Sequence, residues 1–195
     1  MQDSIVRLGL VQWQMRHFKN IDAFYEQIEF FVNVMGDYKS DFVLFPELFN
    51  TPLLAPFNHL SERDSMFKLA EFTEDIKNKI SDLAISYNVN IIAGSMPLVE
   101  NDELYNVSYL LHRDGKIDEY RKIHITPNER KYYGMKGGSE IKVFDTDCGK
   151  VGLVICYDVE FPELPRILAD QGMKILFVPY LTDTQNAYTR VRHCA

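Results

Sequence analysis

The sequence predicts a single domain of mixed α/β fold. Predicted strands and helices alternate along the first half, a predicted β-hairpin follows, and hydrophobic residues make up 46% of the 195 residues. Strands separated by helices favour parallel pairing, whereas a tight turn favours antiparallel pairing, so we expect a mixed sheet. The chain is long enough to bury a sizeable core, and we expect one domain over residues 1–195.

The first half is predicted to run in the order βαβαβ. Apolar residues recur every three or four positions over 21–38 and again over 66–87, which is typical of amphipathic helices. Short apolar segments at 5–12, 42–45 and 90–94 flank these helices and are predicted to be buried strands.

The second half is predicted to contain more strands. Residues 107–113 and 116–122 form a predicted hairpin, because Asp114-Gly115 suits a two-residue primed turn. Residues 128–140 are polar and contain glycine, which predicts a surface loop. The remaining predicted elements are strands at 141–146, 151–155 and 175–179 and a helix that begins at Pro162 and ends before Gly172.

The composition argues against several classes of partner. The net charge is −7 and the pI is about 5.2, so the chain lacks the basic surface that binds nucleic acid or anionic membranes. The first 20 residues are interrupted by charged side chains and contain no apolar run long enough for a signal peptide. We therefore expect a small-molecule or protein partner, no membrane association and a cytoplasmic location.

Three cysteines, Cys148, Cys156 and Cys194, suit a reducing cytoplasm, because a chain of this size does not need disulfides. These cysteines and His193 lack the CxxC or HxxxH spacing of a metal site. We therefore expect no metal.

Cys156 lies where an apolar strand meets a polar turn. Such a thiol is near backbone N–H groups that favour negative charge, so we expect a lowered pKa and a reactive thiolate. Taken alone, the alternative of an inert buried cysteine is the commoner one.

Two charged residues also follow predicted strands. Glu47 comes after Pro46 among apolar neighbours, and burial would raise its pKa towards that of a useful base. Lys122 ends the second hairpin strand, where its ammonium could stabilise an oxyanion. For each residue alone, a solvated surface charge is the alternative.

Three segments together resemble the signature segments of the nitrilase superfamily of carbon–nitrogen hydrolases, and they occur in the same order. They are Phe-Pro-Glu at 45–47, Arg-Lys-Ile-His at 121–124 and Cys-Tyr-Asp-Val-Glu-Phe-Pro-Glu-Leu at 156–164. Lesser landmarks agree, namely Gly94-Ser95 with Pro97, Tyr105-Asn106, Asp114-Gly115 and Pro179. The resemblance covers almost the whole chain.

This resemblance implies an α-β-β-α sandwich with a Glu-Lys-Cys catalytic triad. It implies that Glu47 is the general base, Lys122 the oxyanion-stabilising lysine and Cys156 the nucleophile. Glu129 matches a second glutamate that positions the lysine, with a solvated loop glutamate as the alternative. The backbone N–H of Tyr157 matches a second oxyanion donor, and the resemblance implies no cofactor.

The function that the resemblance implies is hydrolysis of a non-peptide carbon–nitrogen bond through a thioester, with a small amide preferred to a nitrile as substrate. Two alternatives stay open. The same acyl-enzyme could pass its acyl group to an amine, as an acyltransferase, or the domain could be a non-catalytic scaffold. The resemblance also leads us to expect a homo-oligomer.

Two features depart from the common family pattern. Many members carry arginine where this chain has Glu160. This acid, together with Leu181-Thr182-Asp183-Thr184, resembles the branch fused to an N-terminal acetyltransferase-like domain. The chain stops at Ala195, where the family normally continues, so we expect the sandwich to be incomplete at its C-terminus.

The other reactive side chains have simpler interpretations. His124 is expected to be structural, and nothing near His193 supports a papain-like Cys/His pair. Tyr132 and Tyr133 are expected to anchor a loop or line the pocket mouth. Cys148 and Cys194 are expected to be ordinary thiols.

Overall fold

The computed structural model describes residues 5–182 and 189–192. Within these ranges the elements, in chain order, are β1 (Leu8–Leu10), α1 (Ile21–Asp37), β2 (Phe42–Leu44), α2 (Glu62–Ala70), α3 (Thr73–Ser86), β3 (Asn90–Ile92), β4 (Met96–Glu100), β5 (Glu103–Leu111), β6 (Ile117–Arg121), β7 (Met135–Lys136), β8 (Val143–Thr146), β9 (Gly149–Leu153), α4 (Glu163–Asp170) and β10 (Ile175–Phe177). Short 3-10 helices cover Thr51–Phe57 and Cys156–Glu160, and one π-helical turn covers Glu129–Tyr133. No helix in the described ranges has the length and apolarity needed to cross a membrane.

The strands form two sheets. In the larger sheet β1, β2 and β3 are parallel, and β5 is antiparallel to β3, β4 and β6. In the smaller sheet β9 lies between β10, which is parallel to it, and β8, which is antiparallel. The three buried strands predicted in the first half are thus present and parallel, and the predicted mixed sheet is confirmed.

The two sheets pack face to face because side chains alternate along each strand. Phe42 faces the second sheet and its ring lies 5.0 Å from that of Phe177 in β10, while the adjacent Val43 faces the helices. In β3, Ile92 likewise faces the second sheet and the adjacent Ile91 faces the helices. The predicted α-β-β-α arrangement is thus present, and a mixed α/β fold is confirmed.

The predicted single helix over 66–87 is wrong. Two helices occupy this region: α2 begins earlier, where the Ser61 hydroxyl accepts a hydrogen bond from the Asp64 N–H, and it ends at Ala70. The chain then turns, and α3 starts at Thr73, whose buried hydroxyl donates to the Pro97 carbonyl at 2.6 Å. This tertiary hydrogen bond fixes the break, which helical periodicity alone does not reveal.

The hairpin between β5 and β6 is confirmed, but its predicted two-residue turn is wrong. Leu111 pairs with Ile117, and the next pair is closed by the His112 N–H donating to the Lys116 carbonyl at 2.9 Å. Three residues, 113–115, therefore form the loop, with Gly115 at φ +90°. A type I turn followed by a left-handed glycine is a common three-residue hairpin.

Candidate active site

Glu47 lies in a tightly held loop directly after β2. Pro46 has no N–H to continue the strand ladder, and Leu48 adopts a left-handed conformation at φ +48°. The Leu48 N–H donates to the buried Ser95 hydroxyl at 3.2 Å. Gly94 packs so closely that a Cβ there would overlap the Pro46 carbonyl oxygen. These contacts bury Glu47, which is 4% exposed.

Lys122 extends the β6 pairing by one residue, because its N–H donates to the Asn106 carbonyl at 2.9 Å. Its side chain is 1% exposed, so the alternative of a surface charge is wrong. The ammonium Nζ lies 2.8 Å from Glu47 Oε1 and 2.8 and 2.9 Å from the two carboxylate oxygens of Glu129. A buried ammonium is thus held between two buried carboxylates.

Glu129 is 7% exposed, so both the solvated-glutamate alternative and the predicted surface loop over 128–140 are wrong at this position. Its backbone N–H donates to the Thr126 hydroxyl at 3.2 Å, and its carboxylate accepts from the Thr126 N–H at 2.8 Å. This reciprocal pair resembles a capping box. It turns the Glu129 side chain inwards towards Lys122.

Asn106 completes the buried charge cluster and was not among the predicted site residues. It is fully buried, and its amide Nδ2 donates to Glu47 Oε1 at 3.1 Å and to Glu129 Oε1 at 3.2 Å. A polar residue inside the largely buried strand β5 is the sequence signal that could have identified it.

Cys156 lies beyond β9 at the start of the 3-10 helix Cys156–Glu160, near Glu47 and Lys122. Its backbone is left-handed at φ +46°, an uncommon conformation for a residue other than glycine that costs on the order of 1–3 kcal/mol. Its N–H donates to the Pro179 carbonyl at 2.9 Å, and its thiol lies 3.7 Å from the Leu181 carbonyl. The strained turn presents Sγ towards the charge cluster.

Asp158 anchors this turn to the strand that carries Lys122. Its buried carboxylate accepts hydrogen bonds from the Ile155 N–H at 3.1 Å and the Tyr120 hydroxyl at 2.9 Å. It also accepts the His124 N–H at 2.7 Å and faces His124 Nδ1 at 3.0 Å. His124, stacked on Phe161 with ring centroids 3.6 Å apart, therefore has the structural role expected of it.

The ionisation of the cluster follows from burial and from neighbouring charges. Burial raises the pKa of the Glu47 carboxyl, and the Glu129 charge adds to this effect although Lys122 opposes it. Burial alone would lower the pKa of the Lys122 ammonium, but Glu47 and Glu129 outweigh it and raise that pKa. Lys122 is therefore charged at neutral pH.

The expected lowering of the Cys156 pKa is wrong. Burial first, and then the negative charge of Glu47, raise the pKa of the thiol, and these effects exceed the opposing effect of Lys122. The resting site therefore holds a neutral thiol beside the Glu47 carboxyl group. A five-residue 3-10 helix offers much less stabilisation to a thiolate than the N-terminus of a long α-helix.

The other predicted residues have contacts and exposures of their own. Tyr157 follows Cys156, and its ring packs edge-on against Phe161 with centroids 5.1 Å apart. Tyr133 packs against the core, whereas Tyr132 is 45% exposed. Burial raises the pKa of the Cys148 thiol to about 11, in keeping with an ordinary thiol.

The Glu160 carboxylate forms a salt bridge with Arg190 Nε at 2.9 Å. The Tyr180 hydroxyl donates to the same carboxylate at 3.4 Å. Four predicted positions, Asp183, Thr184, His193 and Cys194, lie outside the described residues.

The arrangement supplies three chemical groups within one buried site: a nucleophile, a carboxylate able to accept its proton and a fixed positive charge. The Glu47 carboxylate lies close enough to the thiol for its negative charge to raise the thiol pKa. Such a combination, on an α-β-β-α sandwich, is suited to covalent attack on a polarised carbon.

The Carbon-nitrogen hydrolase family profile matches residues 7–193. The chain therefore belongs to the carbon-nitrogen hydrolase family. A Bacillus subtilis (strain 168) protein named "Probable hydrolase YhcX" is 46% identical over 190 residues, which cover 97% of this chain and 37% of that protein. Omega-amidase NIT2 of Homo sapiens is 30% identical over 185 residues, covering 89% of this chain and 62% of that protein.

Solved structures agree on the fold. A carbon-nitrogen hydrolase from Helicobacter pylori G27 superposes with a TM-score of 0.81 at 25% identity, covering 97% of this chain and 68% of that one. An amidase from Nesterenkonia sp. gives a TM-score of 0.76 at 22% identity, covering 96% of this chain and 70% of that one. The chain spans less than two thirds of the length of both curated relatives described above.

Proposed function

We propose that this domain hydrolyses the carbon–nitrogen bond of a small non-peptide amide through a thioester on Cys156. One observation carries the proposal: the Lys122 ammonium lies 2.8 Å from each of two buried carboxylates, Glu47 and Glu129, beside the Cys156 thiol. Burying three charged groups is costly unless they are paired, and a purely structural role would not require a strained cysteine beside them.

In the first step Glu47 accepts the thiol proton while Cys156 Sγ attacks the amide carbon. The carbonyl π electrons move to oxygen, which becomes the oxyanion of a tetrahedral intermediate. Lys122 and the backbone N–H of Tyr157 are proposed to stabilise this oxyanion. The raised pKa of Glu47 suits this task, because a stronger base accepts the proton more readily.

Lys122 is proposed to change partners as this step proceeds. In the resting site its short contacts are to three carboxylate oxygens, one from Glu47 and two from Glu129. When Glu47 becomes protonated its negative charge disappears, and its hold on Lys122 weakens. One ammonium N–H then becomes available as the oxyanion forms, so proton transfer and charge stabilisation are coupled.

In the second step the intermediate collapses. The C–N bond breaks, Glu47 returns its proton to the departing nitrogen, and an amine or ammonia leaves the thioester on Cys156. Glu47 then removes a proton from water, which attacks the thioester carbon and releases the carboxylic acid and the thiol. The reaction needs one water per amide and no cofactor.

The choice of an amide rather than a nitrile is supported by the names of related proteins. Besides the human omega-amidase, the 2-oxoglutaramate amidase of Bacillus subtilis (strain 168) is 30% identical over 155 residues, covering 78% of this chain and 56% of that protein. We propose the same reaction class here, acting on a small-molecule amide.

The test is acyl-adduct trapping. After incubation with a panel of small amides and denaturation with acid, intact-mass spectrometry should show an acyl adduct that Cys156→Ala abolishes together with product formation. Cys148→Ala is the matched control and should retain both. Turnover by folded Cys156→Ala, or an adduct that persists in it, would exclude Cys156 as the acyl carrier.

The same experiment separates the alternatives. If hydroxylamine captures the acyl group faster than water does, acyl transfer is favoured over hydrolysis. If no amide in the panel gives an adduct, the scaffold alternative is favoured. The paired Glu47, Lys122 and Cys156 side chains are our reason for preferring an enzyme.

We further propose that the domain forms a homo-oligomer in the cytoplasm and belongs to the branch fused to an acetyltransferase-like domain. Glu160, where many family members carry arginine, supports the branch proposal. Light scattering on the purified chain, and immunoblotting of cell fractions for the mass of the native polypeptide, test these proposals.

A further inference from the structure

Asn106 forms hydrogen bonds to both carboxylates of the site. Its amide Nδ2 lies 3.1 Å from Glu47 Oε1 and 3.2 Å from Glu129 Oε1, and its side chain is fully buried. Because both acceptors are carboxylate oxygens, the amide must present its NH₂ group to them. The orientation of this side chain therefore follows from its partners.

The position of Asn106 is fixed by the hairpin. It lies opposite Lys122, since Val107 pairs with Arg121 and the Lys122 N–H donates to the Asn106 carbonyl at 2.9 Å. Residues directly opposite on antiparallel strands share one face of the sheet. One cross-strand pair thus supplies the ammonium and the amide that together hold Glu47 and Glu129.

The two hydrogen bonds to Glu47 end on the same oxygen. Lys122 Nζ and Asn106 Nδ2 both approach Oε1, at 2.8 and 3.1 Å. With Oε1 engaged twice, the carboxylate cannot rotate without losing both bonds. Neither of these two hydrogen bonds involves the second oxygen, Oε2.

We propose that Asn106 is a positioning residue that holds Glu47 ionised and oriented, so that Oε2 of Glu47 takes the proton of Cys156. The inference rests on the proposed role of Glu47 as the base. A hydrogen-bond donor to a carboxylate favours its charged form, so removing the Asn106 amide makes Glu47 easier to protonate. The carboxylate then stops acting as a base at a higher pH than in the unaltered protein.

The test measures alkylation of Cys156 by iodoacetamide from pH 4 to 10 with peptide mass spectrometry, so it requires no amide substrate. The acid limb of the profile is the pH range in which the alkylation rate falls as Glu47 becomes protonated. In Asn106→Ala we expect this limb to move to higher pH by about one pH unit or more. We also expect the rate on the plateau above it to fall roughly 10- to 100-fold. In Asn106→Asp, which keeps the shape but loses the NH₂ donors, we expect the same direction. Ser108→Ala is the matched control, because Ser108 is equally buried two residues further along β5, and its profile should not move.

Two outcomes overturn the proposal. An acid limb at the same pH in Asn106→Ala, with folding verified by urea denaturation, would show that Asn106 only fills space. A Ser108→Ala profile that moves as far would show a general effect of altering β5. The outcome of acyl trapping is separate: a wild-type protein that acylates no amide would contradict the proposed hydrolase function, while the alkylation profile would still decide the role of Asn106.

Discussion

Among the single residues of the site, burial and neighbouring charges set the pKa values, and they do not make the Cys156 thiol more acidic. Burial and the Glu47 charge raise the pKa of Cys156, and burial also raises the pKa of Glu47. The proton therefore rests on sulfur, beside the carboxyl group that we propose as its acceptor. The Lys122 ammonium, whose pKa the two neighbouring carboxylates raise, stays charged beside this pair.

The substitution Glu47→Gln separates the two effects of this carboxylate. It removes the base, so turnover should fall by about 10²- to 10⁴-fold. It also removes a negative charge that raises the pKa of the Cys156 thiol, so the increase of the alkylation rate with pH that reports direct thiol ionisation should begin at lower pH, and the acid limb should disappear. Alkylation rates from pH 4 to 10 check this, and an increase that begins at higher pH than in the unaltered protein would contradict our account of the thiol.

At the scale of elements, the site depends on loops held in unusual backbone conformations. Leu48 and Cys156 are both left-handed, and Gly94, at φ +52°, allows the loop of Glu47 to approach the end of β3. Strain of this kind persists only when surrounding contacts impose it.

Replacing Gly94 with alanine should therefore do more than strain one residue. Gly149→Ala is the matched control, because Gly149 also has a positive φ, +106°, but a Cβ there would meet no atom within 4 Å. We expect the control to lose about 1–3 kcal/mol of the free energy of unfolding. Gly94→Ala should lose more, because the Pro46 carbonyl must also move, and it should lower acyl-adduct formation by displacing Glu47. Urea denaturation gives the first comparison, and equal losses in the two variants would rule out a special role for the contact.

The hairpin shows where sequence reasoning succeeded and where it failed. Its strands could be predicted from apolar runs, and Lys122 could be singled out from the family resemblance. The loop is three residues long rather than two, and this single residue changes which side chain lies opposite Lys122. With the predicted two-residue turn Asn106 would face Ile123, so the predicted register does not pair Asn106 with Lys122.

Other errors have the same origin in tertiary contacts. Glu129 lies in a polar segment that predicts a loop, yet its exchange of hydrogen bonds with Thr126 and its pairing with Lys122 bury it. The raised pKa of Cys156 likewise depends on burial and on Glu47, a residue 109 positions earlier in the chain. Patterns within one segment carry no information on such contacts.

At the scale of the whole molecule, the site is assembled from both sheets. Glu47, Lys122 and Asn106 come from the larger sheet, and Cys156 follows β9 of the smaller one. The distance between thiol and base therefore depends on the packing of one sheet against the other, to which Phe42 and Phe177 contribute. Asp158 adds a polar link between the sheets through Tyr120 and His124.

Phe177→Ala should therefore reduce both stability and reactivity. The ring is 2% exposed and packs on Phe42 across the sheet interface, so its removal should cost about 3–5 kcal/mol of the free energy of unfolding. Phe177 also lies two residues before Pro179, whose carbonyl accepts the Cys156 N–H, so loosening β10 should shift the thiol relative to Glu47.

The control is Phe30→Ala, at a position 58% exposed on α1, which should change stability by only about 0.5 kcal/mol. Urea denaturation and Cys156 alkylation, measured under conditions in which both variants are folded, test the link. An alkylation profile in Phe177→Ala identical to that of Phe30→Ala would show that sheet packing supports the fold without positioning the thiol.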